Sequence, residues 1–358
     1  MSTRPRIRFD SHGRCNACVW NERKKSLDWS IRERELESLI NKHRKGSGGF
    51  DCLVPVSGGK DGSYVAHTLK TRYGLRPLAL TITPALAFEI GNMNLQHFID
   101  SGFDHIQVNP NPQVMMLLNR HGFIELGFPY YGWLCAIHAG VVRMAIQLDI
   151  PLVFYGEEGE TEYGGTSELE SRPIFDVQYM NRIYLGGGLD KVLSAAGIAE
   201  HSAYFFTFPD EEVLRSSQLE LTHWSYFENW DPYRNYLVAK EHCGLQEAPT
   251  SNSGTFTNFA QNDQALYALH TYLMYLKFGF GRATQDAGIE IRRGAMTRAQ
   301  GVNLVRLYDG QFPEEYLDTY LNYYKLNHSD FDAVLDRWAN RDLFEKLNGR
   351  WQPRFIVS

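Results

Sequence analysis

The densest group of chemistry-bearing residues is Ser57-Gly58-Gly59-Lys60-Asp61-Gly62-Ser63. Glycines reach backbone conformations closed to other residues, so consecutive N–H groups can converge on one anion. Ser57 and Ser63 add hydroxyl donors, and Lys60 can neutralise phosphate charge. Asp61 is out of place in a loop that only binds phosphate. An acid beside phosphates calls for a divalent cation, and Mg²⁺ is the expectation. The segment is not G-x-x-x-x-G-K-[ST] and not G-x-G-x-x-G, so both common phosphate-loop patterns are excluded. Two further places offer charge. Glu157, Glu158, Glu160 and Glu162 form an acidic run that could hold Mg²⁺ or grip hydroxyls, with a solvated loop as the alternative; Glu157 and Glu160 are the chosen candidates. Lys277 and Arg282 flank the glycine-spaced aromatics Phe278-Gly279-Phe280-Gly281 and could close over phosphates. Cys15 and Cys18 have the C-x-x-C spacing of two zinc ligands, but a structural zinc needs four.

The elements around these residues read as an α/β chain. An apolar strand over 51–56 runs into the glycine loop, and a helix follows from about Tyr64 to Gly74. Strands are expected at 77–83, 104–109 and 151–155, and helices at 89–101 and 133–149. That alternation predicts a parallel sheet with helices on both faces. The acidic run then follows a strand, where open parallel sheets bind ligands. Upstream, residues 1–29 read as irregular, and Ser30-Ile31-Arg32-Glu33 as a capping box opening a helix that ends near Lys45. Gly46-Ser47-Gly48-Gly49 reads as a breaker, residues 157–190 as long loops including Gly186-Gly187-Gly188, and 190–358 as mostly helical. The expected divisions are a cysteine-bearing segment 1–29, a phosphate-loop domain 30–185 and a helical region 186–358.

Composition bounds the function. The chain has 358 residues, 36 Lys and Arg against 42 Asp and Glu, and a net charge of −6. Nucleic-acid affinity comes from clustered basic residues, so no nucleic-acid partner is expected. With 43% hydrophobic and 22% charged residues the chain is globular. No apolar run approaches the ~20 residues of a membrane span, and no leader-like apolar stretch follows the N-terminus, which predicts a cytoplasmic protein. Five scattered cysteines predict no disulfide framework; Cys52 and Cys135 fall in apolar runs and read as packing residues.

The strand–SGGKDGS–helix unit resembles the S-G-G-x-D-S loop of the PP-loop ATP pyrophosphatases, with Gly62 where many members carry Ser. Thr3-Arg4-Pro5-Arg6-Ile7-Arg8-Phe9-Asp10, Gly13-x-Cys15-x-Ala17-Cys18 and the segment from Phe154 to Gly165 extend the likeness. So do Trp230-Asp231-Pro232, the segment from Tyr272 to Thr284, and Tyr308-Asp309-Gly310. In this order, over about residues 3 to 325, they resemble the bacterial N-acetyl sugar amidotransferases, which make acetamidino sugars for surface polysaccharides. The resemblance implies an adenine nucleotide alpha hydrolase-like α/β domain and a reaction using ATP and Mg²⁺. ATP would adenylate the acetamido oxygen of an N-acetylated, often nucleotide-linked sugar, and ammonia would displace AMP. Separate glutaminase and ammonia-channel subunits, similar to the synthase pair of histidine biosynthesis, would supply that ammonia.

Carried onto this sequence, the resemblance puts ATP contacts at Ser57 to Ser63 and at Thr83, and catalytic roles at Lys60, Asp61, Lys277 and Arg282. Substrate contacts would fall at Glu157, Glu160 and Tyr163, with Mg²⁺ at Asp61. Relatives carry a second C-x-x-C shortly before the segment matching Thr3-Arg4-Pro5; here only Cys15 and Cys18 stand as Zn²⁺ candidates, with His12 or Cys243 as substitutes. Either the start lies further upstream or this chain lost the pair. A homodimer through the aromatic C-terminal helices remains open. Two rival readings stand beside this one: another PP-loop enzyme such as a tRNA thiolase, and an inactive nucleotide-binding scaffold in a polysaccharide complex.

Overall fold

The computed structural model describes residues 3–46, 48–187 and 189–358. Ser47 of the expected breaker and Gly188 of the glycine triplet lie outside the described residues.

Strands β1 (Cys52–Pro55), β2 (Pro77–Ile82), β3 (His105–Val108), β4 (Leu152–Tyr155), β5 (Ile174–Phe175) and β6 (Glu220–His223) form one six-stranded sheet in the order β3-β2-β1-β4-β6-β5. All neighbours are parallel except β5, which runs antiparallel on the β6 edge. The apolar runs that mark β1, β2 and β4 follow from burial on both faces. Alternate residues serve different cores: Cys52 and Val54 join the cluster with Val65 and Leu69, whereas Leu53 joins the one with Val141 and Val142. The first cluster is covered by the helix Lys60–Thr71, the second by Tyr131–Gln147.

From β1 the chain moves outward to β2 and β3, then returns to place β4 on the other side of β1. The order reverses between β1 and β4, and the diverging connections leave a crevice beyond their carboxyl ends. The glycine loop leaves β1 and the acidic run leaves β4, so topology alone brings them together. A third core packs Leu266–Phe278 against Tyr320, Tyr324 and Phe331, and the hairpin β7 (Phe344–Leu347) and β8 (Arg350–Pro353) closes it. The Ala87–Gln264 bridge ties this part to the segment after β2.

Several expectations are corrected. The sheet continues past the expected boundary at residue 185, because β6 is a parallel strand beside β4. Its neighbour Pro232–Cys243 packs on the glycine-loop helix. Residues 157–190 are not only loops: they hold the helices Gly159–Tyr163 and Val177–Ile183 and strand β5. These elements are too short for a periodic pattern to develop. Asn16–Ser26 is helical although it carries few apolar residues, because tertiary packing buries Ala17, Trp20 and Lys24, the last on Glu162 at 2.8 Å. The next helix, Trp29–His43, begins before Ser30. Asp28 is its cap, accepting from the Ser30 N–H at 3.0 Å and the Ser30 hydroxyl at 2.7 Å, and Glu33 pairs with Arg72 instead of closing a capping box.

Gly62 has a steric cause. A Cβ there would lie 2.7 Å from the Pro55 carbonyl oxygen and 3.1 Å from Val56 Cα. The glycine-loop helix therefore packs against β1 with no room for a side chain. Gly62→Ser is expected to cost about 1–3 kcal/mol through overpacking, read as a lower urea midpoint with unchanged slope.

Candidate functional site

The loop after β1 is shaped by contact with the helix Glu89–Asp100. Gly58 has φ +78°, and a Cβ on it would sit 2.3 Å from Leu95 N, so only glycine fits. Gly59 is the N-cap of Lys60–Thr71 and offers no side-chain cap. The first-turn N–H groups therefore stay available to an anion, supported by the helix dipole.

Lys60 and Asp61 form an ion pair, and Asp61 Oδ1 accepts from Asn235 Nδ2 at 3.0 Å. From β4, Glu157 accepts from Trp230 Nε1 at 3.0 Å and from the Tyr163 hydroxyl. Burial pushes the Glu157 carboxyl up, the Asp61 charge pushes it further, and Lys60 and Arg282 pull it back. Arg282 opens the helix Arg282–Arg292 and pairs with Asp286 at 2.8 Å, itself held by the Thr255 hydroxyl at 2.9 Å. Burial disfavours the Arg282 cation, but Asp286, Tyr163 and Glu157 more than offset it and its pKa rises. Asp309 of the Tyr308-Asp309-Gly310 segment fixes this helix start, accepting from the Gly281 N–H at 2.8 Å and from the Thr284 hydroxyl.

These groups surround a cavity of about 380 Å³ lined by Ser57 to Gly62, Glu157, Arg282, Asp263 and Tyr267, among others. A second cleft of about 260 Å³ shares Lys60, Phe259, Ala260 and Arg282 with it and adds Tyr163, Tyr233 and Glu290. Ser57, Gly58, Gly59, Lys60, Asp61, Gly62, Glu157 and Arg282 are thus brought around the first cavity, and Tyr163 lines the neighbouring cleft that shares Lys60 and Arg282 with it. Other expected site residues are placed elsewhere. Ser63 is fully buried under the helix, its hydroxyl unpartnered. Thr83 donates to Asn109 Oδ1 at 2.6 Å and accepts from Gln107 at 2.9 Å, outside the cavity lining. Lys277 turns to the Leu126 carbonyl at 2.9 Å and lies 4.7 Å over the Trp338 ring. Glu160 is held by Arg6 at 2.6 and 2.8 Å and by Arg4 at 3.5 Å, so it anchors the N-terminal segment. The acidic run splits because Glu158 caps a five-residue helix, accepting from Thr161 N at 2.6 Å, which sends successive carboxylates different ways.

A divalent cation fits Asp61 and Glu157. They are two acids facing one cavity, and Mg²⁺ in phosphate sites takes one or two protein carboxylates, with phosphates and water completing it. Zinc does not fit so well. Cys15 and Cys18 approach to 3.5 Å between sulfurs, but among the described residues no third His, Cys, Asp or Glu joins them. Cys243 is buried, 3.9 Å from the Ser63 carbonyl.

Asn235, Asp263, Tyr267 and His270 are site residues that the sequence reading missed. The signal for two of them is a stripe: Tyr267, His270, Thr271 and Met274 fall at i, i+3, i+4 and i+7 of an otherwise apolar helix and line the cavity. Asn235 and Asp263 have no such signal, since only the fold brings them to the loop.

An open parallel sheet with an uncapped, glycine-built helix start and an acidic turn at its switch point is the architecture of an anion-binding α/β domain. Residues 253–355 match the family model described as LPS biosynthesis protein WbpG-like, C-terminal domain. That match fits the resemblance to the N-acetyl sugar amidotransferases, and it includes Asp263, the stripe, Arg282 and Asp309. The comparison with curated proteins finds no match.

Burial pushes the Asp263 carboxyl up to about 6 from 3.8, against opposing pulls from its own backbone, Ser57, Tyr267 and Lys60. A carboxyl raised in the fold supplies stability that is complete below about pH 4 and lost as pH rises through 6. The full shift corresponds to roughly 3 kcal/mol as an upper figure. In nucleotide-free protein with chelator, Asp263→Asn should therefore raise the urea midpoint relative to wild type at pH 8 and not at pH 4. An equal effect at both values contradicts the assignment.

Proposed function

We propose that the chain is an ATP-dependent amidotransferase of surface-polysaccharide synthesis, acting on the N-acyl group of a sugar. One observation carries this reading: Lys60, Asp61, Glu157 and Arg282 surround an uncapped helix start at the sheet's switch point. The match of residues 253–355 to an LPS biosynthesis family supplies the biological setting.

An amide oxygen is a poor leaving group, and transfer of an adenylyl group onto it makes a good one. The amide oxygen attacks the α-phosphorus of ATP and pyrophosphate departs. Ammonia then adds to the activated carbon, loses a proton, and AMP leaves with the original oxygen, giving an amidine. The loop N–H groups and Ser57 hold phosphate oxygens, and Lys60 screens their charge. Asp61 and Glu157 would hold Mg²⁺, which neutralises phosphate charge when bound. Arg282 borders both the cavity and the adjoining cleft, so its cation can stabilise departing pyrophosphate beside the acceptor. Much of the catalysis in such a site is positioning. Ammonia would come from a separate glutaminase. Among the described residues no cysteine lines either space, so a sulfur-transfer reaction has no thiol at hand there.

The test is incubation of the protein with ATP, Mg²⁺, ammonium and a panel of N-acetylated nucleotide sugars. AMP, pyrophosphate and a sugar with oxygen replaced by NH are expected, with Asp61→Ala slower by about a hundredfold or more. ADP and phosphate instead would overturn the mechanism.

A further inference from the structure

Residues 3–24 line neither of the two spaces described above, yet they grip the turn that holds Glu157. That turn is the five-residue helix Gly159–Tyr163. A helix so short does not stand by itself in water, so tertiary contacts must place it. Its start is fixed by Glu158, which accepts from the Tyr179 and Tyr184 hydroxyls at 3.0 and 2.7 Å. Its end carries Tyr163, whose hydroxyl donates to Glu157.

The N-terminal segment holds that end. Glu160 and Glu162 are each 7% exposed, and buried carboxylates need cations. Among the described residues, every cation paired with them comes from this segment: Arg6 at 2.6 Å and Arg4 at 3.5 Å on Glu160, and Lys24 at 2.8 Å on Glu162. Trp20 Nε1 adds a hydrogen bond to Glu162 at 2.8 Å. Asn16 Nδ2 donates to the Gly165 carbonyl at 2.7 Å, and a Cβ on Gly164 would lie 2.9 Å from Asn16 Oδ1. The Arg4 guanidinium lies 5.8 Å from the centre of the Tyr163 ring. The segment is itself tied down, the Thr3 hydroxyl donating to the Phe278 carbonyl. Glu160 and Tyr163 are i and i+3 neighbours on the short helix, so a shift of the first carries the second with it.

We propose that residues 3–24 are a clamp that sets the geometry of Glu157 as a metal ligand, with Arg6 and Asn16 as positioning residues acting through Tyr163. This rests on the reading of Asp61 and Glu157 as the carboxylates of a divalent cation. The acidic run then has two jobs. Glu157 faces the cavity, while Glu160 and Glu162 face the clamp and fix the helix that carries Tyr163.

The test uses the full chain with α,β-methylene-ATP, which carries a divalent cation but cannot transfer its adenylyl group. Mn²⁺ held by the protein is read from water-proton relaxation, and metal-free nucleotide affinity from calorimetry, on variants shown by circular dichroism to be folded. Wild type should hold Mn²⁺, and Asp61→Ala should hold it far more weakly. Tyr163→Phe should weaken Mn²⁺ about tenfold, the usual effect of losing a group that orients a ligand. Arg6→Gln and Asn16→Ala should each weaken it about threefold, less because they act at one remove. Asn16→Ala strands no charge, so it decides the matter if Arg6→Gln does not fold. Arg6→Lys should recover part of the loss. Adding Asn16→Ala to Tyr163→Phe should cost less than about twofold more, since both act on one contact. Metal-free nucleotide affinity should stay within about twofold throughout, a shift too small for one lost hydrogen bond. Unchanged Mn²⁺ affinity in Asn16→Ala, fully additive losses in the double variant, or a loss carried by metal-free nucleotide affinity would overturn the proposal. Failure of the cation reading looks different: no Mn²⁺ held by wild type, or equal binding by Asp61→Ala, and the clamp's role falls with it.

Discussion

The site depends on a charge problem at the carboxyl edge of the sheet. Asp61 and Glu157 are placed beside one cavity, and their mutual repulsion adds to the burial that disfavours the Glu157 anion. Lys60 and Arg282 answer part of this, and the hydrogen bond from Tyr163 adds to it. Neutral donors hold the acids in place: Asn235 on Asp61, and Tyr163 and Trp230 on Glu157. Trp230 and Asn235 bracket the start of Pro232–Cys243, so that helix must be docked before the acids are aligned. The packing of this helix on the glycine-loop helix is therefore part of the site's construction.

The C-terminal region contributes by bringing a second set of groups to the same edge. Asp309 fixes the start of Arg282–Arg292, which aims Arg282, and Asp286 and Thr255 hold its guanidinium. The apolar side of Leu266–Phe278, with Leu266, Leu269, Leu273 and Leu276, is buried against Tyr320, Tyr324 and Phe331. That burial leaves the Tyr267–His270–Thr271 side facing the glycine loop. The family match over 253–355 therefore falls on the part that completes the cavity as well as on the part behind it. Among the described residues no helix is long and apolar enough to cross a membrane.

Four strands, the helices between them and the glycine loop were legible because each has a local cause: continuous apolar runs, glycine spacing, or a cap. Glu157 was legible because it follows a strand in a parallel sheet. Glu160 carries the same signal, but the turn of a short helix places it on Arg6 and Arg4. Lys277 sits close to Arg282 in sequence but lies on a helix end that faces Leu126 and Trp338. Strand β6, Asn235 and Asp263 owe their places to the sheet order and to packing between distant segments, which no local pattern encodes. The cysteine pair was legible as a pair; what sequence spacing could not supply is a third ligand.

The most direct measurement follows the oxygen atom. With an acceptor whose acyl oxygen is labelled with ¹⁸O, the account predicts that the label appears in the phosphate of AMP, because that oxygen bonds to the α-phosphorus before ammonia displaces it. Label retained in the product sugar, or released to water with unlabelled AMP, would contradict adenylation of the acyl group and with it the assignment of this site.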